Sequence, residues 1–187
     1  FSASGRNLQA NFDFDAKGNV YRGTAGSDAL EIEADGLPRL PVNAAAKVVV
    51  EKDSVAFESL RLQSGASTVT GNGRISNFQA ATGEFALSVE TNLTETARLF
   101  RAPAGSGAVH SSGRFSWLGG TRVRYEGDVR GPALTVDVGD MRFTPVAVTA
   151  HVVATEKTLE AMAVQARTAE GLFSGVALLP EYKGFDV

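Results

Sequence analysis

Apolar and polar residues alternate along most of this chain with a period of two, and this pattern limits the folds open to it. In residues 85–90 and 134–138, large apolar side chains alternate with small or polar ones. Because successive side chains of a β-strand point to opposite faces of the sheet, each segment predicts a strand with one apolar and one solvated face. The alternation recurs at residues 48–50, 55–57, 60–62, 115–117, 123–129, 141–143 and 146–152. The sequence therefore predicts an all-β fold.

Short turn sequences separate these predicted strands. Lys52-Asp53, Gly18-Asn19 and Gly119-Gly120 each lie between two alternating segments. Glycine and asparagine adopt positive φ at low cost, which tight antiparallel hairpins require. We therefore expect neighbouring strands to pair in an antiparallel meander.

Two features predict that the sheet is curved. Within residues 55–62 the apolar positions change from odd to even numbers, which indicates a β-bulge near Glu58 and Ser59. Gly71 and Gly73 lie inside strand-like sequence, where a missing side chain is typical of a bend or bulge. Both features favour a sheet that bends along its length.

One short helix is predicted near residues 93–101. Asn92 can cap its first turn, Glu95 follows three residues later, and the apolar residues 93, 97 and 100 fall on one face. The stretch 102–107, rich in Gly, Ala and Pro, is then either a boundary between two halves of the chain or a long loop.

Residues 158–170 favour helix by composition but have apolar spacing that also fits a strand. Residues 57–63 and Gly73 align with residues 159–165 and Gly175 as a weak internal repeat, and the first copy has the pattern of a strand. We therefore predict a strand in the second copy as well.

Composition limits the partners of the chain. With 43% hydrophobic and 21% charged residues, it can fold around apolar residues and is not typical of a disordered chain. Its net charge of −3 comes from interleaved acids and bases, which gives no support for binding nucleic acid or an anionic membrane surface. Cysteine is absent, which excludes disulfides, thiolate zinc sites and cysteine nucleophiles.

The chain begins with Phe1 rather than methionine, and we expect residues 1–187 to form a single β-sheet segment of a larger protein. A bilayer-spanning helix needs about 20 consecutive apolar residues. The longest apolar candidate, residues 146–154, is interrupted by Thr149 and His151. Any membrane anchor is therefore expected outside this segment.

The sequence offers little for catalysis or metal binding. The two histidines, His110 and His151, have no acid or second histidine at ligand spacing. Ser111, His110 and Asp128 contain the residue types of a catalytic triad, but no Gly-x-Ser-x-Gly motif accompanies them.

Two acid pairs, Asp13 with Asp15 and Glu31 with Glu33, each share one strand face. Such pairs suit glycoside hydrolysis or calcium binding, but no calcium loop accompanies them, and a solvated strand face explains them. We predict no enzyme activity, no metal site and no cofactor.

A strand with spaced aliphatic residues at 54–63 leads into a strand with Gly-x-Gly at 66–75, and residues 128–143 have a similar pattern. This succession resembles the repeating strands of the TamB/AsmA-like family, and the likeness covers most of residues 46–185.

The resemblance implies an elongated, curved antiparallel sheet that forms an open groove, the β-taco. It implies a periplasmic protein, anchored in the inner membrane, that acts in outer-membrane biogenesis, as the translocation and assembly module does. Such a protein either conducts phospholipids across the periplasm or aids outer-membrane protein assembly, with an assembly barrel protein as partner.

The apolar strand faces are the candidate site, and in a groove they contact phospholipid acyl chains. The predicted lining is Phe85, Leu87, Val89, Phe115, Trp117, Val123, Tyr125, Leu134, Val136, Val138, Met141, Phe143, Val146 and Val148. The same alternation fits the closed core of a structural or interaction β-sandwich, such as an adhesin-like or chaperone module. A carbohydrate-active β-domain is a third alternative, which needs exposed aromatic residues and paired carboxylates in one cleft.

Overall fold

The computed structural model describes residues 2–33, 39–100 and 105–180. These residues form thirteen strands and one helix. The elements are β1 (Ser2–Arg6), β2 (Gln9–Asp15), β3 (Val20–Glu33), β4 (Leu40–Glu51), β5 (Ser54–Ser64), β6 (Ser67–Ser76), β7 (Thr82–Asn92), α1 (Leu93–Phe100), β8 (Gly105–Ser106), β9 (Ala108–Trp117), β10 (Val123–Val138), β11 (Met141–Thr155), β12 (Thr158–Arg167) and β13 (Leu172–Pro180).

The strands form one open antiparallel sheet. Their hydrogen-bonded order is β1-β3-β4-β5-β6-β7-β9-β10-β11-β12-β13, while β2 pairs with β3 and β8 pairs with β10. Most strands therefore pair with their neighbours in sequence, as hairpin connections require. The predicted all-β class, open antiparallel sheet and single short helix are confirmed.

The chain folds into two compact units. Unit 1 contains residues 1–87 and 114–123, and unit 2 contains residues 88–113 and 124–187. Strands β7 and β9 contribute residues to both units. The divisions fall within strands or at a strand end, not in the stretch 102–107. Residues 102–104 of that stretch lie outside the described residues.

The predicted bulge in β5 is confirmed. Lys47 of β4 pairs with Ser59, whereas the next residue, Val48, pairs with Phe57, which leaves Glu58 as the extra residue. On the other side of β5, the pairing with β6 shifts between Phe57 and Leu60. A bulge of this kind increases the local twist of the strand that carries it.

In the pairing of β5 with β6, the inserted residue lies in β5 and not at Gly71 or Gly73 of β6. These glycines instead make room for side chains of β7. A Cβ atom added to Gly73 would lie 2.6 Å from Cγ of Phe85, and one added to Gly71 would lie 2.8 Å from Cδ2 of Leu87. The missing side chains let two large apolar groups lie against the backbone of β6.

Helix α1 begins at a side-chain cap, as the sequence predicts. Oδ1 of Asn92 accepts a hydrogen bond of 2.9 Å from the backbone N–H of Thr94. The Thr94 hydroxyl in turn donates to the carbonyl oxygen of Gly105 in β8, at 2.8 Å. Ala97 is buried, so the short helix is held by its first turn and one buried residue.

Replacing Asn92 by alanine is expected to lower the free energy of unfolding by about 1 kcal/mol, because an N–H of the first helical turn loses its acceptor. Urea unfolding followed by far-UV circular dichroism measures this change. Asn72→Ala, on an exposed face of β6, is the matched control. Equal stability of the two variants would show that the cap contributes nothing.

The strand prediction for residues 158–170 is confirmed over residues 158–167 by β12, and residues 168–170 lie beyond the end of that strand. The internal repeat, however, does not extend to strand pairing. Phe57 pairs with Gly73, whereas its repeat equivalent Leu159 pairs with Leu179. The two hairpins have turns of different length, and turn length sets hairpin register.

Few apolar side chains are buried in the described parts of the chain. Unit 1 buries Val42, Val48 and Val49, and unit 2 buries Ala97, Leu134, Val146, Val153 and Leu179. Among these eight side chains, only that of Leu179 is less than 2% exposed. Most residues on the apolar strand faces are therefore partly accessible to solvent or to a ligand.

Candidate functional site

Strand register brings the apolar residues of unit 1 onto one face of the sheet. Phe12 pairs with Gly23, Gly23 with Val48, and Val48 with Phe57, so these positions form one row across four strands. Neighbouring rows are built in the same way. We call this surface the apolar face of unit 1; it comprises Phe12, Phe14, Tyr21, Ala25, Ala46, Val48, Val50, Val55, Phe57, Leu60, Leu62, Val69, Ile75, Phe85, Leu87 and Phe115.

Three phenylalanines form an aromatic row within this face. The ring centroids of Phe57 and Phe85 are 5.4 Å apart, and those of Phe85 and Phe115 are 6.2 Å apart. All three rings are partly exposed. Tilted rings at these separations attract one another beyond simple area burial, which favours a fixed arrangement. Gly73 lies between Phe57 and Phe85 and allows the rings to approach over it.

The N-terminal strands add aromatic residues that the sequence prediction missed. Phe12, Phe14 and Tyr21 are 41%, 55% and 52% exposed, and the rings of Phe14 and Tyr21 lie 5.1 Å apart. The signal was available, because residues 10–15 alternate between apolar and polar side chains. The family likeness covers residues 46–185 and leaves out these strands, and the predicted lining contains no residue before Phe85.

The predicted lining residues are divided between the units. Phe85, Leu87, Phe115, Trp117 and Val123 belong to unit 1. The first three lie on the apolar face of unit 1, and all five are partly exposed. The indole N–H of Trp117 donates a 2.9 Å hydrogen bond to the carbonyl oxygen of Gly120, which orients the ring at the turn after β9.

The other nine predicted lining residues belong to unit 2: Val89, Tyr125, Leu134, Val136, Val138, Met141, Phe143, Val146 and Val148. Leu134 pairs with Val146, and each is only 5% exposed. Met141, at the hairpin, is 60% exposed. Val136 pairs with Phe143, and both are partly exposed. The side chain of Val138 lies outside the described residues.

The opposite face of unit 1 is polar. Arg74 bonds the Glu51 carboxylate at 2.9 Å and the Ser54 hydroxyl at the same distance. The hydrogen bond from Arg74 lowers the pKa of Glu51 below its ordinary value. Arg22 approaches Asp15 at 3.4 Å and Glu58 at 3.2 Å. Charged groups thus lie on the face away from the aromatic row.

His151 has acidic neighbours that its sequence spacing does not reveal. Its Nδ1 lies 3.0 Å from Oδ1 of Asp128, its partner across β10 and β11, and its Nε2 lies 3.6 Å from Oε1 of Glu126. The hydrogen bond with Asp128, aided by the charges of both carboxylates, raises the pKa of His151 above the ordinary value of a histidine. The protonated imidazole is therefore favoured in the folded chain.

This pairing predicts a dependence of stability on pH. A raised pKa means that the stabilisation is full below about pH 6.5 and is lost as pH rises through the folded-state pKa. Melting temperatures at about pH 6 and about pH 9 should show a larger advantage of the wild type over Asp128→Asn at the lower pH. An equal difference at both pH values would contradict the pairing.

The side chains of the triad residue types bond to different groups. The Ser111 hydroxyl lies 2.6 Å from the Tyr125 hydroxyl and donates a 3.1 Å hydrogen bond to the backbone carbonyl oxygen of Asp128. His110 lies 3.9 Å from Glu90, and the Asp128 carboxylate bonds His151. Among the described residues, no group of three imidazole or carboxylate side chains is arranged to hold a metal ion. Nor does the described part of the chain contain a helix long and apolar enough to cross a bilayer.

Comparison of the chain with protein-family models, with curated proteins and with solved structures found no match.

Proposed function

We propose that this chain is a non-enzymatic segment of an envelope-biogenesis protein and that its apolar sheet faces bind phospholipid acyl chains. The observation that carries the proposal is the exposed aromatic surface of unit 1. Phe57, Phe85 and Phe115 are partly exposed, and Phe12 and Phe14 are 41% and 55% exposed, all on one face. Large apolar side chains exposed together on one face are typical of a binding site.

An acyl chain suits such a surface because hydrocarbon needs no directional partner. Each methylene group removed from water contributes about 0.8 kcal/mol, so ten buried methylenes contribute roughly 8 kcal/mol before the entropic cost of binding. The aromatic row offers broad, flat contacts that do not select one chain length. Binding of this kind permits a lipid to move along the face without breaking specific bonds.

The contrast between the two faces of unit 1 supports the same proposal. Arg74, Glu51, Arg22 and Asp15 lie opposite the aromatic row. Their charged groups favour contact with water, so acyl chains have one preferred face. A filled sandwich core would instead bury most of the large apolar residues, and among the described large apolar residues of unit 1 only Val42, Val48 and Val49 are buried.

The cellular setting of the proposal comes from the resemblance of residues 54–63 and 66–75 to the TamB/AsmA-like family. On that basis the segment acts in the periplasm, within a longer protein anchored in the inner membrane. Its lipid-binding face then serves phospholipid transport to the outer membrane. Aid to outer-membrane protein assembly, with a barrel protein as partner, is the alternative role within the same family.

The test compares two charge insertions on adjacent residues of β7. Leu87→Glu places a carboxylate on the apolar face of unit 1, whereas Ala86→Glu places it on the opposite face. Each protein is purified from cells, analysed by native mass spectrometry and extracted with solvent to identify bound lipid. We expect co-purifying phospholipid in the wild type and in Ala86→Glu, and its loss in Leu87→Glu.

Uptake of labelled phospholipid from vesicles provides a second readout. Fluorescence of Trp117, the only tryptophan and a residue of unit 1, verifies that both variants remain folded. A wild type that carries no lipid and takes none from vesicles would overturn the proposal. The apolar face would then be better explained as a surface for protein contacts.

A further inference from the structure

The polar face of unit 1 carries two neighbouring rows of side chains that contain no acidic residue. Strand pairing places Asn11, Thr24, Lys47 and Ser59 in one row, and Gln9, Gly26, Ala45, Arg61 and Thr70 in the next. Lys47 pairs with Ser59, two residues before Arg61, so Lys47 and Arg61 are diagonal neighbours. Diagonal positions lie about 7–8 Å apart, within reach of long side chains. Two cations therefore stand close together on this face.

A recess of about 420 Å³ lies between these two rows. Its lining comprises Thr24, Ala45, Lys47, Ser59, Arg61 and Thr70 from the rows, together with Ala25, Ala46, Leu60 and Gly71. The last four form the row in between, whose side chains lie on the apolar face, so their backbone is the floor. Leu62 and Leu87 flank that row on the apolar face and do not line the recess. The recess, which we call the cationic recess, therefore opens on the polar face.

The two cations of this recess differ from the other arginines of the same face. Arg22 bonds Asp15 and Glu58, and Arg74 bonds Glu51. Within the described part of the chain, by contrast, neither Lys47 nor Arg61 is hydrogen-bonded or ion-paired. Their charges are therefore available to a ligand.

The polar groups around the two cations are also suited to an anion. The hydroxyls of Thr24, Ser59 and Thr70 have no hydrogen-bond partner among the described residues, so each can donate to a ligand. Glu58, the inserted residue beside Ser59, is held by Arg22 at 3.2 Å. The acid next to the recess therefore already has a cationic partner.

We propose that the cationic recess binds a phosphate group. The guanidinium of Arg61 can donate two parallel hydrogen bonds to phosphate oxygens, and the ammonium of Lys47 adds a second charge. A phosphate group has enough acceptor oxygens to take hydrogen bonds from the hydroxyls as well. The net charge of −3 provides no long-range attraction, so these short-range contacts determine the affinity. Because the recess lies opposite the aromatic row, the inference does not depend on lipid binding.

Titration with inorganic phosphate tests the proposal, with amide NMR shifts as the readout and sodium chloride used to keep the ionic strength constant. The wild type should show saturable shifts at residues 24, 47, 59–61 and 70. Arg61→Gln and Lys47→Gln should each weaken binding about tenfold, because charge-assisted hydrogen bonds are lost. Lys52→Gln removes the same charge from the exposed turn between β4 and β5, and should bind phosphate like the wild type.

Vesicle flotation identifies the source of the phosphate group. Phosphatidylcholine vesicles are compared with and without phosphatidic acid. Stronger binding with phosphatidic acid that Arg61→Gln abolishes would assign the recess to a lipid headgroup. Binding of inorganic phosphate without this gain would assign it to a soluble phosphate compound.

The proposal and the lipid-binding function can fail separately. Leu87→Glu, which disrupts the apolar face, should bind inorganic phosphate like the wild type. Unfolding curves verify that every variant is folded. Three results would overturn the phosphate site: no saturable shifts in the wild type, unchanged affinity in both Arg61→Gln and Lys47→Gln, or an equal loss in Lys52→Gln.

Discussion

Replacing Gly73 by alanine should lower the free energy of unfolding of unit 1 by about 2 kcal/mol, since overpacking a fitted site typically costs 1–3 kcal/mol. The new Cβ would overlap the backbone oxygen of Glu84 and the ring of Phe85, whose Cγ would lie 2.6 Å away. A flexible side-chain end can move at little cost, but the Glu84 carbonyl belongs to the paired strand β7. The site therefore relieves the overlap only by shifting a strand or displacing the aromatic row.

Trp117 reports on this change directly, because it is the only tryptophan and belongs to unit 1. Its fluorescence during urea unfolding gives the stability of the unit that contains Gly73. Gly175→Ala is the matched control, since Gly175 also lies inside a strand but has no atom near its missing Cβ. Gly175 belongs to unit 2, so far-UV circular dichroism follows the unfolding of this variant. That variant should be unchanged or more stable by about 0.5 kcal/mol, because alanine is less flexible than glycine. If the two variants behave alike, the crowding at Gly73 does not constrain the fold.

Leu134→Ala should destabilise unit 2 by about 3 kcal/mol, within the usual range for truncating a buried leucine. Leu134 is 5% exposed, and its Cδ atoms lie against two glycines. A Cβ atom at Gly131 would lie 2.5 Å from Cδ1 of Leu134, and one at Gly107 would lie 2.9 Å from Cδ2. Removal of the isobutyl group leaves a cavity that these backbone segments cannot readily fill.

Met141→Ala is the informative comparison, because Leu134 and Met141 were both predicted to line a groove. Met141 is 60% exposed, so its truncation should change stability by less than about 0.5 kcal/mol. Far-UV circular dichroism follows the unfolding of each variant. A small effect at Leu134 would show that it is an accessible lining residue rather than part of the packed interior.

The local features of the fold were predictable because each depends on neighbours in sequence. Alternation in residues 85–90 specifies a strand without knowledge of its partners. The change of parity at Glu58 specifies an inserted residue, and Asn92 marks a helix start through a contact only two residues away. None of these inferences needed long-range information.

Features that depend on the register between paired strands were not predictable. Gly73 was expected to bend its strand, but Phe85 of the next strand covers it, and only the pairing of β6 with β7 brings the two together. His151 meets Asp128 because β10 and β11 pair in one particular register. The division of the lining residues between two units likewise follows from tertiary contacts.

The sharing of β7 and β9 between the units affects how this protein can be dissected. Residues 88–113, which belong to unit 2, separate the two chain segments that make up unit 1. No single cut in the gene therefore yields either unit whole. A cut after residue 104 gives two halves. The N-terminal half lacks residues 114–123 of unit 1, and the C-terminal half lacks residues 88–104 of unit 2. Loss of function in either half would therefore result from an incomplete fold and would not show which unit carries the function. Point substitutions are the sounder way to assign roles to the two units.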